Sequence, residues 1–123
     1  MKYLELFESK ENREILGKCK ATFIDAWGDT LDLSHINIEE PYIYSNGVKY
    51  FNGKFMLSSN YGNTIDKNNV SDFIALFDFL HKIDNITFRF RDNRFQIHMN
   101  NIDSLKNFIN QLEMVAQSKK YNL

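Results

Sequence analysis

Residues 86–99, Ile86-Thr87-Phe88-Arg89-Phe90-Arg91-Asp92-Asn93-Arg94-Phe95-Gln96-Ile97-His98-Met99, alternate apolar and polar side chains on both sides of Asp92-Asn93. Period two on each side of such a pair specifies two antiparallel strands joined by a two-residue turn. Counting outward from the turn sets Arg91 opposite Arg94, Phe90 opposite Phe95, Arg89 opposite Gln96, Phe88 opposite Ile97 and Thr87 opposite His98. One face then holds Ile86, Phe88, Phe90, Phe95, Ile97 and Met99. The other holds Thr87, Arg89, Arg91, Arg94, Gln96 and His98. A slip of one residue would exchange the faces, so the apolar set fixes the register. The rest of the chain must supply a core for the first face, and the cationic face must meet water or a partner.

The flanking segments supply candidate elements. In residues 2–17, Leu4, Phe7, Ile15 and Leu16 are spaced for an amphipathic helix, with Gly17 as its C-terminal stop. Residues 20–27 read as a strand, Gly28-Asp29 as a turn, and Thr30 to Ile36 as the returning strand. That pairing sets Ile24 opposite Leu33 and Asp25 opposite Asp32. Two facing carboxylates repel, so either both Asp25 and Asp32 are solvated, or the register is shifted, or the two are a weak candidate pair for a cation or an acidic contact for a basic partner.

Residues 42–57 contain Asn46-Gly47 and Asn52-Gly53, the dipeptide that best suits a tight hairpin turn. They predict a three-stranded meander of Tyr42–Ser45, Val48–Phe51 and Lys54–Leu57. One face of it carries Tyr42, Tyr44, Lys49, Phe51, Lys54 and Met56. Cover by a helix is the expectation for so aromatic a face. If the face is open, Tyr42, Tyr44 and Phe51 are candidate anchors for a partner.

A polar loop over residues 58–68 precedes a helix capped by Asn69. Val70, Phe73, Ile74, Phe77, Leu80 and His81 form its inward stripe, and Leu76 and Phe79 are apolar on the far side. This predicts a central helix buried on most of its circumference. After the basic hairpin, Asn100 or Asn101 caps a last helix with Ile102, Leu105, Phe108, Ile109, Leu112 and Val115 inward, and residues 118–123 are expected to fray. Tyr50 to Phe55 followed by Asn68-Asn69 echoes Phe90 to Phe95 followed by Asn100-Asn101, either as a degenerate duplication of a ββα unit or as chance similarity between two amphipathic hairpin-helix units.

The sum is a single α+β domain over residues 1–123. It is an antiparallel sheet of about five to seven strands against two or three helices, in the order α-ββ-βββ-α-ββ-α. A chain of 123 residues with eleven Phe and six Tyr has material for such a core.

The chemistry in the sequence favours binding over catalysis. The three histidines, His35, His81 and His98, form no metal-binding motif, and no phosphate loop or nucleophile elbow occurs. Cys19, the only cysteine, excludes an internal disulfide and reads as a buried thiol. No cofactor and no enzymatic activity are expected. No apolar run is long enough to span a membrane, and the first residues lack a signal-peptide layout, so a cytoplasmic location is expected.

The candidate binding set is Arg89, Arg91, Arg94, Gln96 and His98, joined by Tyr42, Tyr44 and Phe51. Guanidinium groups suit carboxylate or phosphate through paired hydrogen bonds. A net charge of −1 gives no long-range pull toward a polyanion, which favours a protein partner. Abundant Asn, Ile, Lys and Phe with one Pro mark an AT-rich coding sequence. Small inhibitors from phages and mobile elements share this character, anti-CRISPR and toxin-neutralising immunity proteins among them. The leading expectation is thus a non-enzymatic protein that occludes a host nuclease or defence complex. The alternative is a nucleic-acid-binding accessory protein that uses the Arg89, Arg91 and Arg94 face with nearby aromatic rings.

Overall fold

The computed structural model describes residues 2–28, 31, 36–51, 53–59, 67–92 and 94–121, with side chains for all of these except 2–12, 42–43 and 49–51. The elements run α1 (Lys2–Trp27), β1 (Ile36–Glu39), β2 (Tyr42–Ser45), β3 (Val48–Phe51), β4 (Phe55–Ser59), α2 (Val70–His81), β5 (Ile86–Arg91), β6 (Arg94–Met99) and α3 (Ile102–Lys120). The fold is α+β. Among the described residues the strands form a four-stranded antiparallel sheet, ordered β1-β4-β6-β5, and a separate two-stranded ribbon of β2 and β3.

The hairpin of β5 and β6 has the expected register at every pair, from Ile86 opposite Met99 to Arg91 opposite Arg94. Asp92 takes a positive φ of 55° at the turn, a conformation that Asp tolerates better than most residues. Phe95, Ile97 and Met99 are buried from this hairpin, as are Phe55 and Leu57 from β4. At the end of the β4–β6 ladder, the Phe95 N–H donates to the buried Ser59 hydroxyl at 2.9 Å.

The helices share the apolar face of the sheet. Phe23 of α1 lies 6.0 Å from Phe95 and 6.3 Å from Phe108 of α3. Phe77 of α2 stacks on Phe88 of β5 at 5.2 Å, with an interplanar angle of 14°. Asn101 caps α3, its side-chain oxygen accepting from the Ser104 N–H at 2.8 Å. This satisfies one of the donors that a helix start leaves without a partner in the helix.

The predicted strand at residues 20–27 is instead the second half of α1. Leu16, Cys19, Phe23, Ala26 and Trp27 are buried, while Lys18, Lys20, Ile24 and Asp25 are exposed. That is a helical stripe, and packing on α3 outweighs the β propensity of Thr22-Phe23-Ile24. The Thr22 hydroxyl finds an acceptor one turn back, the Lys18 carbonyl, at 2.7 Å. Gly17 therefore lies inside a helix rather than ending it. The stop is near Gly28, and the Leu31 N–H folds back to the Trp27 carbonyl at 3.0 Å. Residues 20–27 are helical and so form no hairpin; of the expected returning strand, residues 30 and 32–35 lie outside the described residues, and the next strand among the described residues begins at Ile36.

The meander is also revised. Asn46 and Gly47 both have positive φ, 53° and 79°, and close the β2–β3 hairpin as expected. Gly53 has φ of 75° as well, yet the chain does not fold back there: β4 leaves β3 and enters the other sheet between β1 and β6. In that position Phe55 and Leu57 of β4 are buried beside Phe95, Ile97 and Met99 of β6, which places the apolar strip of β4 in the core. The ββα echo therefore has no structural counterpart, because only its second copy forms a hairpin.

Two helix expectations change. In α2 the buried residues are Phe73, Leu76 and Leu80, and Ile74 is 53% exposed, so the helix packs on the apolar face beside β5 with one side open instead of filling the centre. The α3 terminus is helical to Lys120. Its Lys119 ammonium donates to the Ala26 carbonyl and sits 4.1 Å from the centre of the Trp27 ring. A cation on the last carbonyls of α1 is favourable, and it fastens α3 to α1.

Candidate functional site

All three helices lie on one face of the sheet, so among the described residues no helix covers the other. The pairing aligns its side chains in rows. Glu39, Met56, His98 and Thr87 form one row, and Asn37, Ser58, Gln96 and Arg89 form the next. Arg94 and Arg91 extend beyond them. Charge is graded across the sheet, from Glu39 on β1 to the arginines at the β5 edge.

Arg89 and Arg91 are exposed, and Arg94 is half-buried. With Asp92 and Gln96 they line an open hollow of about 260 Å³. The Arg91–Asp92 contact is 3.8 Å long and 83% exposed on both sides, too weak to hold the guanidinium against an incoming carboxylate. A second hollow of about 480 Å³ adjoins it, lined by Pro41, Lys54, Thr87, Arg89, Gln96 and His98 among others. Partial burial and the Arg89 charge hold the His98 pKa below its usual 6.5. An anion placed here would meet guanidinium donors and a histidine whose disfavoured protonation its own charge would promote.

The candidate set is thus brought together only in part. Arg89, Arg91, Arg94, Gln96 and His98 share this face. Tyr44 belongs to the β2–β3 ribbon, where it is 66% exposed, so no helix covers it and the expected cover is absent there. The side chains of Tyr42 and Phe51 lie outside the described residues. Met56 and Ser58 complete the open face, and sequence reasoning missed their place in it. The alternation of Met56 with Phe55 and Leu57 is visible in the sequence but reads there as the last strand of a three-stranded meander, and Ser58 reads as the start of the polar loop, whereas both belong to β4.

Asp25 is exposed on α1, beside Ala116, Gln117 and the cationic Lys120 around a shallow hollow. It faces no Asp32 across a strand pair, since residues 20–27 are helical, and Asp32 itself lies outside the described residues. The candidate cation pair is not formed as a cross-strand pair. Among the described residues, no three His, Cys, Asp or Glu side chains gather where they could hold a metal ion. No helix among them is long and apolar enough to cross a membrane.

The aromatic rings of the four strands fall on the other side. Phe88, Phe90 and Phe95 all turn toward the helices, where Phe90 meets Phe73 at 5.6 Å and His81 meets Phe88 at 5.1 Å. The expected aromatic neighbours of the arginines are therefore beneath the sheet, not among the arginines.

No family model, curated protein or solved structure matches the chain.

Proposed function

We propose that this is a binding protein that acts without chemistry of its own, docking the Arg89, Arg91 and Arg94 face on an acidic surface of a protein partner. One observation carries the choice: this face offers guanidinium groups but no Phe, Tyr or Trp from its four strands. Sheets that bind single-stranded nucleic acid stack bases on aromatic side chains, each worth about 1–3 kcal/mol. Without that platform, phosphate contacts alone would give weak, salt-sensitive attachment. Carboxylates need no platform. Arg pairs with them through two parallel hydrogen bonds, and charge complementarity sets orientation and encounter rate.

Docking of this kind inhibits by occlusion. If the target is a nuclease or a defence complex, as the character of the chain suggests, the complementary surface is its carboxylate-rich, cation-binding centre rather than its basic nucleic-acid track.

The test compares the wild type with an Arg89→Ala/Arg91→Ala/Arg94→Ala variant. Capture of a partner from host lysate should survive complete nuclease digestion and be lost in the variant. Binding to short DNA and RNA should fade between roughly 50 and 200 mM salt. Micromolar nucleic-acid binding that persists at the higher salt and vanishes in the variant would overturn the proposal.

A further inference from the structure

Strand β5 ends the sheet, and among the described residues no strand pairs with its outer side. Its backbone polarity follows from the turn. A two-residue hairpin alternates bonded and non-bonded pairs, beginning with a bonded pair at Arg91 and Arg94. Phe90 and Phe95 are then a non-bonded pair, and the Phe95 N–H does turn away from β5, to Ser59 of β4. By the same alternation, the N–H and C=O groups of Phe88 and Phe90 point out past the edge of the sheet.

The two sides of that edge differ in chemistry. On the open face stand Arg89 and Arg91. On the helix face the apolar layer is incomplete: Phe95, Ile97 and Met99 of β6 are buried, but Phe88 and Phe90 of β5 are only half-buried. Beside them α2 presents Phe77 and His81 against Phe88, and on the same stripe Ile74 is 53% exposed.

We propose that β5 accepts an extended segment of a protein partner as a fifth strand of the sheet, and that this segment alternates acidic and apolar residues. Its backbone meets the outward N–H and C=O groups of Phe88 and Phe90. Its acidic side chains lie beside Arg89 and Arg91, and its apolar side chains complete the layer over Phe88, Phe77 and Ile74. Added strands gain affinity from the main chain and specificity from alternate side chains. A second copy of this chain does not fit the same edge. Two β5 strands paired about a two-fold axis at Arg89 or Phe90 would set arginine opposite arginine, and an axis at Phe88 would still hold the two Arg89 side chains diagonally across the pair, an unfavourable arrangement. The proposal rests on the acidic partner inferred above and adds its conformation.

Synthetic peptides of about eight residues, enough to span β5, separate the two ideas. One alternates Glu and Val; the other has the same composition with four Glu followed by four Val. Affinity is read by calorimetry, and amide hydrogen exchange by NMR. The alternating peptide is expected to bind at least roughly tenfold more tightly and to slow exchange at the Phe88 and Phe90 amides. Arg89→Glu/Arg91→Glu should abolish this binding, and Ile74→Asp, at an exposed position, should weaken it while the protein stays folded. Equal binding of both peptides with unchanged exchange overturns strand addition and leaves acidic docking standing. Binding of neither also overturns strand addition, and acidic docking is then decided by the capture experiment alone.

Discussion

Replacing Gly17 and Gly28 by alanine separates the two ways of folding the first thirty residues, because the expected effects have opposite signs. Gly17 lies in the interior of α1, exposed, and a methyl group added there meets nothing within 4 Å. Alanine should therefore gain only the backbone entropy that glycine loses in a helix, about 0.5–1 kcal/mol. With an unfolding entropy near 2.1 cal/mol/K per residue, this raises Tm by roughly 2–4 °C. Gly28 stands just past the last turn of α1. A Cβ there would lie 2.5 Å from the Ile24 carbonyl oxygen and 3.2 Å from Ile24 Cγ2. The carbonyl is backbone and cannot swing aside as a side chain would, so the helix end must shift, at a cost of about 1–3 kcal/mol. Thermal and urea unfolding followed by circular dichroism would measure both, with an unchanged urea slope showing that the unfolded state is not responsible. If the helix ended at Gly17 and a strand followed, Gly17→Ala would destabilise, because a left-handed terminal position penalises a Cβ. Loss of stability at Gly17, or no change at Gly28, would refute the long helix.

Two further outcomes follow from titratable groups. Burial pushes the Cys19 thiol from 9.0 up to about 12, so a thiol reagent at pH 8 should label folded protein only as fast as it opens; labelling at the rate of a free thiol would show that α1 does not bury it. The folded pKa of His98 lies below 6.5, so protonation favours the unfolded chain, and stability should fall as pH drops from about 6.5 through the folded value. An acidic ligand reverses that bias by raising the His98 pKa, so binding to wild type should tighten between pH 7.5 and 5.5 relative to His98→Gln; parallel pH profiles would place His98 outside the contact.

What was legible in the sequence was local. The β5–β6 register follows from fourteen residues whose alternation admits one pairing, and the structure keeps it at every position. The Asn101 cap and the inward stripe of α3 are equally local, since a cap and an i, i+3, i+4 pattern need no knowledge of the partner. Residues 20–27 failed because apolar residues fall on both faces of so short a stretch, so it offers a strand face with Ile24 and Ala26 as well as a helix stripe with Phe23, Ala26 and Trp27. A strand would set Phe23 and Ala26 on opposite faces and a helix sets them on one, and only the core that buries both, with Phe23 against Phe108 of α3, decides. Asn52-Gly53 failed for another reason. A dipeptide suited to a tight turn does not choose which strand comes next, and β4 pairs with β6, where Phe55 and Leu57 are buried.

The candidate face divides along the same line. Which side chains share a face with Arg89 is fixed by parity within the hairpin, and that part was legible. Whether the face stays open depends on where three helices settle, and no pattern in residues 86–99 contains that information. The aromatic neighbours illustrate the consequence. In sequence Phe88 and Phe90 flank Arg89, close enough to suggest a stacking surface mixed with cations. In the sheet they are separated from it by the thickness of the strand itself, because adjacent residues point to opposite sides. That separation turns a plausible nucleic-acid platform into two surfaces meeting at one edge, cationic above and apolar below, and β5 is the edge where a single extended segment can touch both.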